Sequence, residues 1–529
     1  MYPSDISGKS KNITSFLKKT VKIIPMSMDF NAAGSPTVDG GFGADSIESS
    51  PAGQDVLGRL IDASTNIPGL TFVSPENLEI LEHLGKGRDL IVSGPDRLTS
   101  MACAALPAIA QCGLVVVVTY SMNSIRRMKS RFDGLNIRTE SFDMAPSKAE
   151  KKEIWESMDR GDVQILLVTP GRLTSKRFRE RLRRRQIALI LVDQAQMMSP
   201  WSHRFLPNYR FVGSFLASLG TSNKAPQKIA IVWNPTGRVT HDLSKLLFLN
   251  NPYQGRLVAD AVPGIGIESR PAPTDADREK IIGQEIERSI GQGVIYCNSI
   301  KQLYDAERLL SSRGEEFAVI RPGIDEFQIS NIRQEFETGK IRIVVVIGSF
   351  LSELNSSPGL EFVIFNGLPE SAETLARELF GVDDTGFIRG VILVGDKDYF
   401  QHRFLIDKNY PDALVMRACV QGIRDVFGSK SAVTPETLIT HVKMATPFPG
   451  EDVEQCIQVL FREGVLEKVF DNDTQTTFVI FSLTPEEETD FWHEYPLRKI
   501  DHVARLDKMR DFASKDGDRV RHLQNLIRA

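Results

Sequence analysis

The sequence predicts an α/β protein with two tandem parallel-sheet lobes, followed by a smaller unit of three helices and a hairpin, and a helical tail. Apolar runs such as 114–119 and 189–193 lack polar alternation, which is typical of strands covered on both faces of a parallel sheet. Helical patterns separate these runs, and a Pro- and Gly-rich stretch at 262–276 interrupts the alternation. A chain of 529 residues is also too long for one hydrophobic core.

The first lobe is expected over residues 70–262. Its strands are predicted at 90–93, 114–119, 165–169, 189–193 and 229–233. Its helices are predicted at 75–84, 98–112 and 121–132, with a strongly basic helix after residue 173. Residues 1–69 predict a disordered basic tail rich in Gly, Ser and Pro, because they offer too little apolar surface to offset chain entropy.

The second lobe is expected over residues 277–404, after a linker at 262–276. Its strands are predicted at 293–297, 317–323, 341–348, 362–367 and 390–395. Its helices are predicted at 300–312 and 327–338. Residues 405–484 then predict three helices and a hairpin, which is the arrangement of a winged-helix domain, and residues 485–529 predict a charged helical tail.

The composition, 41% hydrophobic and 25% charged, is that of an ordinary globular protein. Its five cysteines are scattered without any C-x-x-C spacing, so neither a disulfide framework nor a four-cysteine zinc site is indicated. No apolar run approaches the roughly 20 residues that a membrane span requires. We therefore expect no metal and no membrane partner. We expect an intracellular location, in the cytoplasm or nucleoid, or in the nucleus of a eukaryote.

The net charge of −4 hides two basic clusters. Residues 172–185 carry eight Lys or Arg against one acid, Glu180, and a second cluster lies at 126–131. Such clusters are either solvated helix faces or polyanion-binding surfaces, since phosphate binding by Lys and Arg releases condensed counterions. The candidate nucleic-acid contacts in these clusters are Arg126, Arg127, Arg172, Lys176 and Arg177.

Residues 188–209 combine a buried-strand pattern with a dense aromatic and proline patch. Asp193 ends the strand, and a carboxylate at the tip of a central strand is where an α/β nucleotide site holds its metal. The aromatic rings that follow can stack nucleic-acid bases, or they can fill the gap between the strand and the next helix. The candidate DNA contacts of this loop are Trp201, His203, Arg204, Phe205 and Tyr209.

This stretch resembles the RecQ-type superfamily-two ATP-dependent DNA helicases, whose pattern is D-E-A-H followed by a loop close to S-Q-W-G-H-D-F-R-P-E-Y. The chain has D-Q-A-Q and then S-P-W-S-H-R-F-L-P-N-Y with the spacing kept. The stretches TPGRL (169–173), GVIYCNS (293–299) and EFVIFNGLP (361–369) also resemble family motifs. The resemblance covers roughly residues 70–529 and implies two RecA-like lobes, a winged helix, ATP and Mg²⁺ as cofactors, and DNA as partner.

The chemistry-bearing positions of the first lobe depart from that family. Its phosphate loop, P-T-G-S-G-K-S, aligns without a gap on P-D-R-L-T-S-M at 95–101. Ser100 therefore replaces the phosphate-binding lysine and Met101 replaces the metal-binding hydroxyl. Gln194 replaces the glutamate that activates water, and an amide does not accept that proton. Gln196 replaces the histidine, which leaves Asp193 as the remnant of a metal site.

The second lobe and the tail depart in the same direction. Gly381 and Asp384 replace the two arginines that would neutralise charge in the transition state. The family's F-G-M-G-I-D falls on residues 351–356, L-S-E-L-N-S, which lack both glycines and the acid. The tail resembles the family's zinc module without its cysteines.

These losses predict a helicase-like pseudoenzyme with no catalytic residues. We expect it to bind single-stranded or junction DNA, or to act as a scaffold in DNA recombination or repair, with protein partners and no cofactor. ATP and Mg²⁺ enter only if the altered site still binds nucleotide. Two alternatives stay open: an active ATP-dependent DNA helicase with altered motifs, and a protein-interaction platform that binds no nucleic acid.

Overall fold

Two parallel β-sheets organise the chain, as the apolar runs predicted. The computed structural model describes residues 74–94, 96–109, 113–202, 205–219, 225–233, 235–257, 264–354, 359–380, 386–427, 433–471, 476–481 and 485–528. All of these fall within one unit, Ile47–Ala529. The expected tail at 1–69 lies outside the described residues.

The first sheet has seven strands in the order β3-β4-β2-β5-β6-β1-β7, and all of its pairings are parallel. Its helices and strands are α1 (Pro75–Gly85), β1 (Leu90–Ser93), α2 (Asp96–Ile109), β2 (Leu114–Val118), α3 (Met122–Gly134), β3 (Thr139–Ser141), α4 (Lys148–Asp159), β4 (Ile165–Val168), α5 (Lys176–Arg183), β5 (Ile187–Val192), α6 (Arg210–Leu219), β6 (Gln227–Val232), α7 (Gly237–Leu246) and β7 (Tyr253–Arg256).

Strand β2 shows why its sequence carries no polar alternation. Val115 and Val117 pack into the core on one face of the sheet, and Val116 and Val118 pack into the core on the other. Because successive side chains of a strand point to opposite faces, both sets must be apolar when helices cover both faces. The carboxyl ends of β1, β2, β4, β5 and β6 consequently meet at one edge of the sheet, where the candidate site lies.

The second sheet has six strands in the order β10-β11-β9-β12-β13-β8, again with parallel pairings. Its helices and strands are β8 (Ile265–Pro271), α8 (Asp275–Arg288), β9 (Gln292–Cys297), α9 (Ile300–Arg313), β10 (Phe317–Ile320), α10 (Glu326–Glu337), β11 (Ile343–Val346), β12 (Leu360–Asn366), α11 (Ala372–Phe380), β13 (Ile388–Val394) and α12 (Asp396–Asn409).

The sequence predicted a linker at 262–276, but seven of these residues form strand β8 at the edge of the second sheet, so the prediction was wrong for that segment. Edge strands bury only part of their surface, so the polar pattern of IGIESRP is compatible with pairing. The short polar strands β3 and β7 and the helix α4 were also not predicted. Helix α4 carries a complete capping box between Ser147 and Glu150, a signal that the sequence does contain.

After the second lobe come three helices, a hairpin and two further helices. They are α13 (Ala413–Phe427), α14 (Pro435–Ala445), α15 (Gly450–Arg462), β14 (Leu466–Asp471), β15 (Thr476–Phe481), α16 (Pro485–Ser514) and α17 (Arg519–Arg528). Strands β14 and β15 pair antiparallel, and Val433 adds an isolated bridge to Val479. Helices α16 and α17 contribute Leu506, Met509 and Leu523 to the second lobe's core. Among the described helices, none is long and apolar enough to cross a bilayer.

Candidate nucleotide site and aromatic loop

The connection between β1 and α2 is short. Strand β1 ends at Ser93 and helix α2 begins at Asp96, so two positions separate them. A Cβ on Gly94 would lie 2.6 Å from the Thr99 hydroxyl oxygen and 2.7 Å from the Leu257 carbonyl oxygen, so the backbone passes very close to its neighbours. A phosphate loop wraps its anion with backbone N–H groups from several residues ahead of the helix. In this chain, positions 96–101 belong instead to the first turns of α2.

Asp193 follows β5 and is 2% exposed. The Ser100 hydroxyl donates to its Oδ1 at 2.5 Å, and the Thr119 hydroxyl donates to its Oδ2 at 2.8 Å. Burial raises the pKa of this carboxyl above its ordinary value, although both hydroxyl bonds and the nearby charge of Arg127 favour the ionised form. Both carboxyl oxygens are therefore engaged by protein hydroxyls. Ser100, which the sequence resemblance aligns with a phosphate-binding lysine, is one of the two donors.

Tyr209 also contacts the end of strand β5, through the backbone of Asp193. Its side chain is fully buried, and its hydroxyl donates to the backbone carbonyl of Asp193 at 2.9 Å. Burial, reinforced by the charge of Asp193, raises the pKa of this phenol well above its ordinary value. The geometry gives Tyr209 a structural contact, and in this conformation its ring presents no surface to a nucleic-acid base.

Two glutamines follow Asp193 at the positions that the sequence resemblance equates with a glutamate and a histidine. Gln194 adopts a left-handed backbone conformation (φ 52°), and its side-chain oxygen accepts from the Gln196 amide at 2.7 Å. The Gln196 side-chain oxygen accepts from the backbone N–H of Trp233, at the end of β6, at 3.2 Å. Both glutamines are buried. The pair links the ends of two neighbouring strands and contains no group that titrates near neutral pH.

In the second lobe, Glu378 holds the loop that follows β11. Its carboxylate accepts from the Tyr296 hydroxyl at 2.5 Å, from the Ser352 hydroxyl at 2.8 Å and from the backbone N–H of Phe350 at 3.1 Å. Burial opposes ionisation, but Arg377 and these hydrogen bonds together hold the pKa of Glu378 below its ordinary value. Gly381 and Asp384 lie outside the described residues. Sequence reasoning missed Glu378, which directly follows an arginine on α11.

Two of the basic candidates make contacts within the protein. Arg127 is 8% exposed and donates from Nη1 to the Ser352 carbonyl of the second lobe at 3.0 Å. Arg172 is ion-paired with Asp143 at 2.8 Å and also donates to the Phe142 carbonyl at 3.2 Å. Arg127 thus joins the two lobes, and Arg172 fixes the turn after β3.

The other three basic candidates are exposed. Arg126 lies on α3, and Lys176 and Arg177 lie in the first turn of α5. No ion pair joins any of the three to another residue in the part of the chain that the structure describes. Further along α5, Arg181 lies over the Trp155 ring at 4.2 Å from its centroid, which anchors the helix while its outer face stays cationic.

Helix α16 of the tail packs against the aromatic loop that follows β5, at Trp201. Trp201 is 5% exposed, and the guanidinium of Arg238 lies over its ring at 4.4 Å. Arg505 of α16 donates from Nη2 to the Trp201 carbonyl at 2.7 Å. Phe205 is half-buried, and His203 and Arg204 lie outside the described residues. The sequence carried no signal for the contact with Arg505, which is 304 positions away.

The described residues contain no group of three or more His, Cys, Asp or Glu side chains that could hold a metal ion. Like Glu378, Thr119 is a residue of the candidate site that the sequence analysis did not predict. Its contact with Asp193 follows from the pairing of β2 with β5, which places the two strand ends side by side.

No protein-family model matches the chain. It is 25% identical over 366 residues to the ATP-dependent DNA helicase Q-like 2 of Arabidopsis thaliana, covering 66% of this chain and 50% of that protein. It is 23% identical over 316 residues to the probable ATP-dependent DNA helicase RecS of Bacillus subtilis, covering 59% and 62%. It is 22% identical over 306 residues to the ATP-dependent DNA helicase RecQ of Haemophilus influenzae, covering 55% and 48%.

These matches show homology to RecQ-family DNA helicases at modest identity. The matched part spans about half to three-fifths of the length of these relatives. Among solved structures, the Mycobacterium smegmatis helicase Lhr bound to ssDNA and AMP-PNP superposes with a TM-score of 0.48 at 14% identity, over 82% of this chain and 60% of that one. Dbp5 of S. cerevisiae bound to RNA and ADP BeF3 superposes with a TM-score of 0.46 at 15% sequence identity, over 69% of this chain and 93% of that one.

Proposed function

We propose that the protein is a helicase-fold DNA-binding protein that does not hydrolyse ATP and that serves as a binding or scaffold component in DNA recombination or repair. The observation that carries the proposal is the closure of Asp193 by the hydroxyls of Ser100 and Thr119. The homologous proteins are named as DNA helicases, which supports DNA as the ligand.

The residues at the altered site do not fit a magnesium nucleotide. Mg²⁺ is held by carboxylates and keeps several waters, whereas Asp193 is buried and both of its oxygens accept from hydroxyls. Activation of water needs a proton acceptor, and Gln194 offers an amide already bonded to Gln196. A developing charge on phosphate needs a cation, and positions 381 and 384 hold Gly and Asp.

We assign the main phosphate contact to the exposed cations of α5 and α3. Lys176, Arg177 and Arg126 are exposed, whereas Arg127 and Arg172 already make contacts within the protein. Each phosphate neutralised on a single strand contributes about 0.7 to the slope of log K against log salt. Binding should therefore be sequence-independent and strongly weakened by salt.

We also propose that α13, α14, α15 and the β14–β15 hairpin form a winged-helix domain. Support comes from the order of these elements and from the bridge between Val433 and Val479, which joins the segment before α14 to the hairpin. The three helices share a core that includes the buried residues Met416, Leu438 and Ile457. Such a domain can dock on DNA or on a protein.

The decisive test measures phosphate release from ATP by the purified chain, with and without single-stranded DNA, beside fluorescence anisotropy with labelled oligo(dT). We expect no DNA-stimulated release, together with DNA binding that weakens as salt rises. Stimulated release that disappears in Asp193→Ala would refute the proposal and establish an active helicase with altered motifs.

A protein-interaction platform is the second candidate, favoured by the exposed aromatic residues of α12. Phe400 is 69% exposed and Phe404, one turn later, is 58% exposed. Neighbouring exposed rings on one helix face are common at protein interfaces. Pull-down from lysate with and without nuclease separates the candidates, because partners bridged by DNA are lost after nuclease and directly bound partners are kept.

A further inference from the structure

Helix α16 contacts the first lobe, the second lobe and the α13–α15 unit. Arg505, which is 12% exposed, donates from Nη2 to the Trp201 carbonyl of the first lobe at 2.7 Å. The same guanidinium lies 3.8 Å from Glu373 of the second lobe. It also donates from Nε to Asp501 of its own helix at 2.9 Å, which fixes its orientation. One cation therefore bridges the two lobes.

Arg498 lies seven residues earlier, two turns back on the same side of the helix. Its Nη1 is 3.0 Å from Glu463, after α15, and its Nη2 is 2.7 Å from Glu494. Both Arg498 and Glu463 have side chains that are 6% exposed. The Arg498 guanidinium also lies over the Trp201 ring at 5.8 Å from its centroid. The tail thus contacts the backbone of Trp201 through one arginine and its ring through another.

We propose that α16 is an autoinhibitory latch that withholds the Trp201 loop from single-stranded DNA. A base stacks on an aromatic side chain only when a face of the ring is free, and Trp201 is 5% exposed beneath Arg238 and Arg498. Of these two arginines only Arg498 belongs to α16, whereas Arg238 lies on α7 of the first lobe, so stacking at the part of the ring that Arg498 covers requires α16 to move away. The inference rests on the proposed function, since it concerns regulation of DNA binding.

The latch predicts a particular thermodynamic signature. When only a fraction of molecules has the loop free, the apparent affinity of the loop for DNA is reduced by that fraction. The phosphate contacts assigned to Lys176 and Arg177 lie on another element and do not depend on the latch. Opening the latch should therefore add stacking to an existing phosphate interaction and should favour single strands over duplex.

The experiment compares the full chain with Arg505→Ala, using Arg510→Ala as the matched control. Arg510 lies on the same helix but pairs with Asp507 and covers the Tyr399 ring, so it does not contact the aromatic loop. Anisotropy is measured with labelled oligo(dT) and with duplex DNA. Because the chain has four tryptophans, acrylamide quenching of tryptophan fluorescence is measured with and without Trp201→Ala, and the difference reports the exposure of Trp201. Glu373→Gln weakens the same bridge from the second lobe, should Arg505→Ala fail to fold.

We expect Arg505→Ala to bind oligo(dT) about tenfold more tightly, as for a latched state that outnumbers the open one by about ten to one. Acrylamide quenching of Trp201 should rise as well. The gain in oligo(dT) affinity should disappear in the double variant Arg505→Ala with Trp201→Ala. The control variant Arg510→Ala should match the wild type in both measurements. Glu373→Gln should show a smaller gain in the same direction. Equal binding by the wild type and both latch variants would overturn the latch while leaving DNA binding intact. No binding by any variant at low salt would overturn the proposed function, and the latch with it.

Discussion

Replacing Asp193 by Asn, and separately by Ala, tests whether its buried carboxyl now serves the fold. The carboxyl is 2% exposed and accepts from Ser100 and Thr119. Asparagine keeps the shape and one acceptor oxygen, and its NH₂ can donate to one of the two hydroxyls, which both donate and accept. Because the pKa of Asp193 is raised in the folded chain, the ionised carboxyl costs stability as the pH rises above its unfolded value, and asparagine removes that cost.

The expected magnitudes separate the two variants. Loss of the charge weakens two hydrogen bonds by about 1 kcal/mol each. Because asparagine also removes the cost of burying a charge, the free energy of unfolding of Asp193→Asn should lie within about 1 kcal/mol of the wild type. Alanine removes the acceptor of both buried hydroxyls, which should cost about 2 to 4 kcal/mol.

Urea unfolding followed by tryptophan fluorescence measures this difference. Three of the four tryptophans, Trp155, Trp201 and Trp233, belong to the first lobe, so the signal reports on the lobe that contains Asp193. If Asn destabilised the chain as much as Ala, the carboxylate charge itself would be required and the hydrogen-bonding account would be refuted.

Three further predictions concern charge and burial. Lys176→Glu should weaken oligo(dT) binding several-fold and flatten its salt dependence, whereas Lys280→Glu, an equal charge change on the exposed face of α8, should do neither in anisotropy titrations. Glu378→Gln should destabilise the second lobe by about 2 kcal/mol in urea unfolding, because it loses the charged acceptor for Tyr296 and Ser352. Burial, with the charge of Arg505, lowers the pKa of His502 to about 4, so stability should fall by about 2 kcal/mol between pH 6.5 and 4, and His502→Gln should flatten that decline.

The sheets were predictable because their signal is local. Runs such as 90–93 and 165–168 are apolar on both faces, and this property is written in consecutive residues. Strands β3 and β8 were missed because they are edge strands with polar residues, for which pairing is decided by distant partners. The capping box of α4 can be read from the sequence, but no strong apolar stripe follows it, so the helix was not predicted.

The altered motif positions remain sequence predictions, whereas the contacts that their residues make could be seen only in the structure. The alignment of Ser100 with a lysine position follows from spacing, but its bond to Asp193 depends on how α2 packs beside β5. For the ring of Trp201, the sequence left open whether it stacks on bases or packs inside the protein. Its burial arises from Arg238 and from a helix nearly three hundred residues later, a tertiary contact that no local pattern encodes.

The bond between Arg127 and the Ser352 carbonyl joins the lobes through protein atoms alone. In a motor, contact between two such lobes depends on a fuel whose consumption makes opening and closing follow a directed cycle. Under the proposed function no free energy enters, so every opening is matched by its reverse and detailed balance holds. The protein can then change how long a DNA strand stays bound, and hence which DNA conformation is populated, without moving along the strand in a preferred direction.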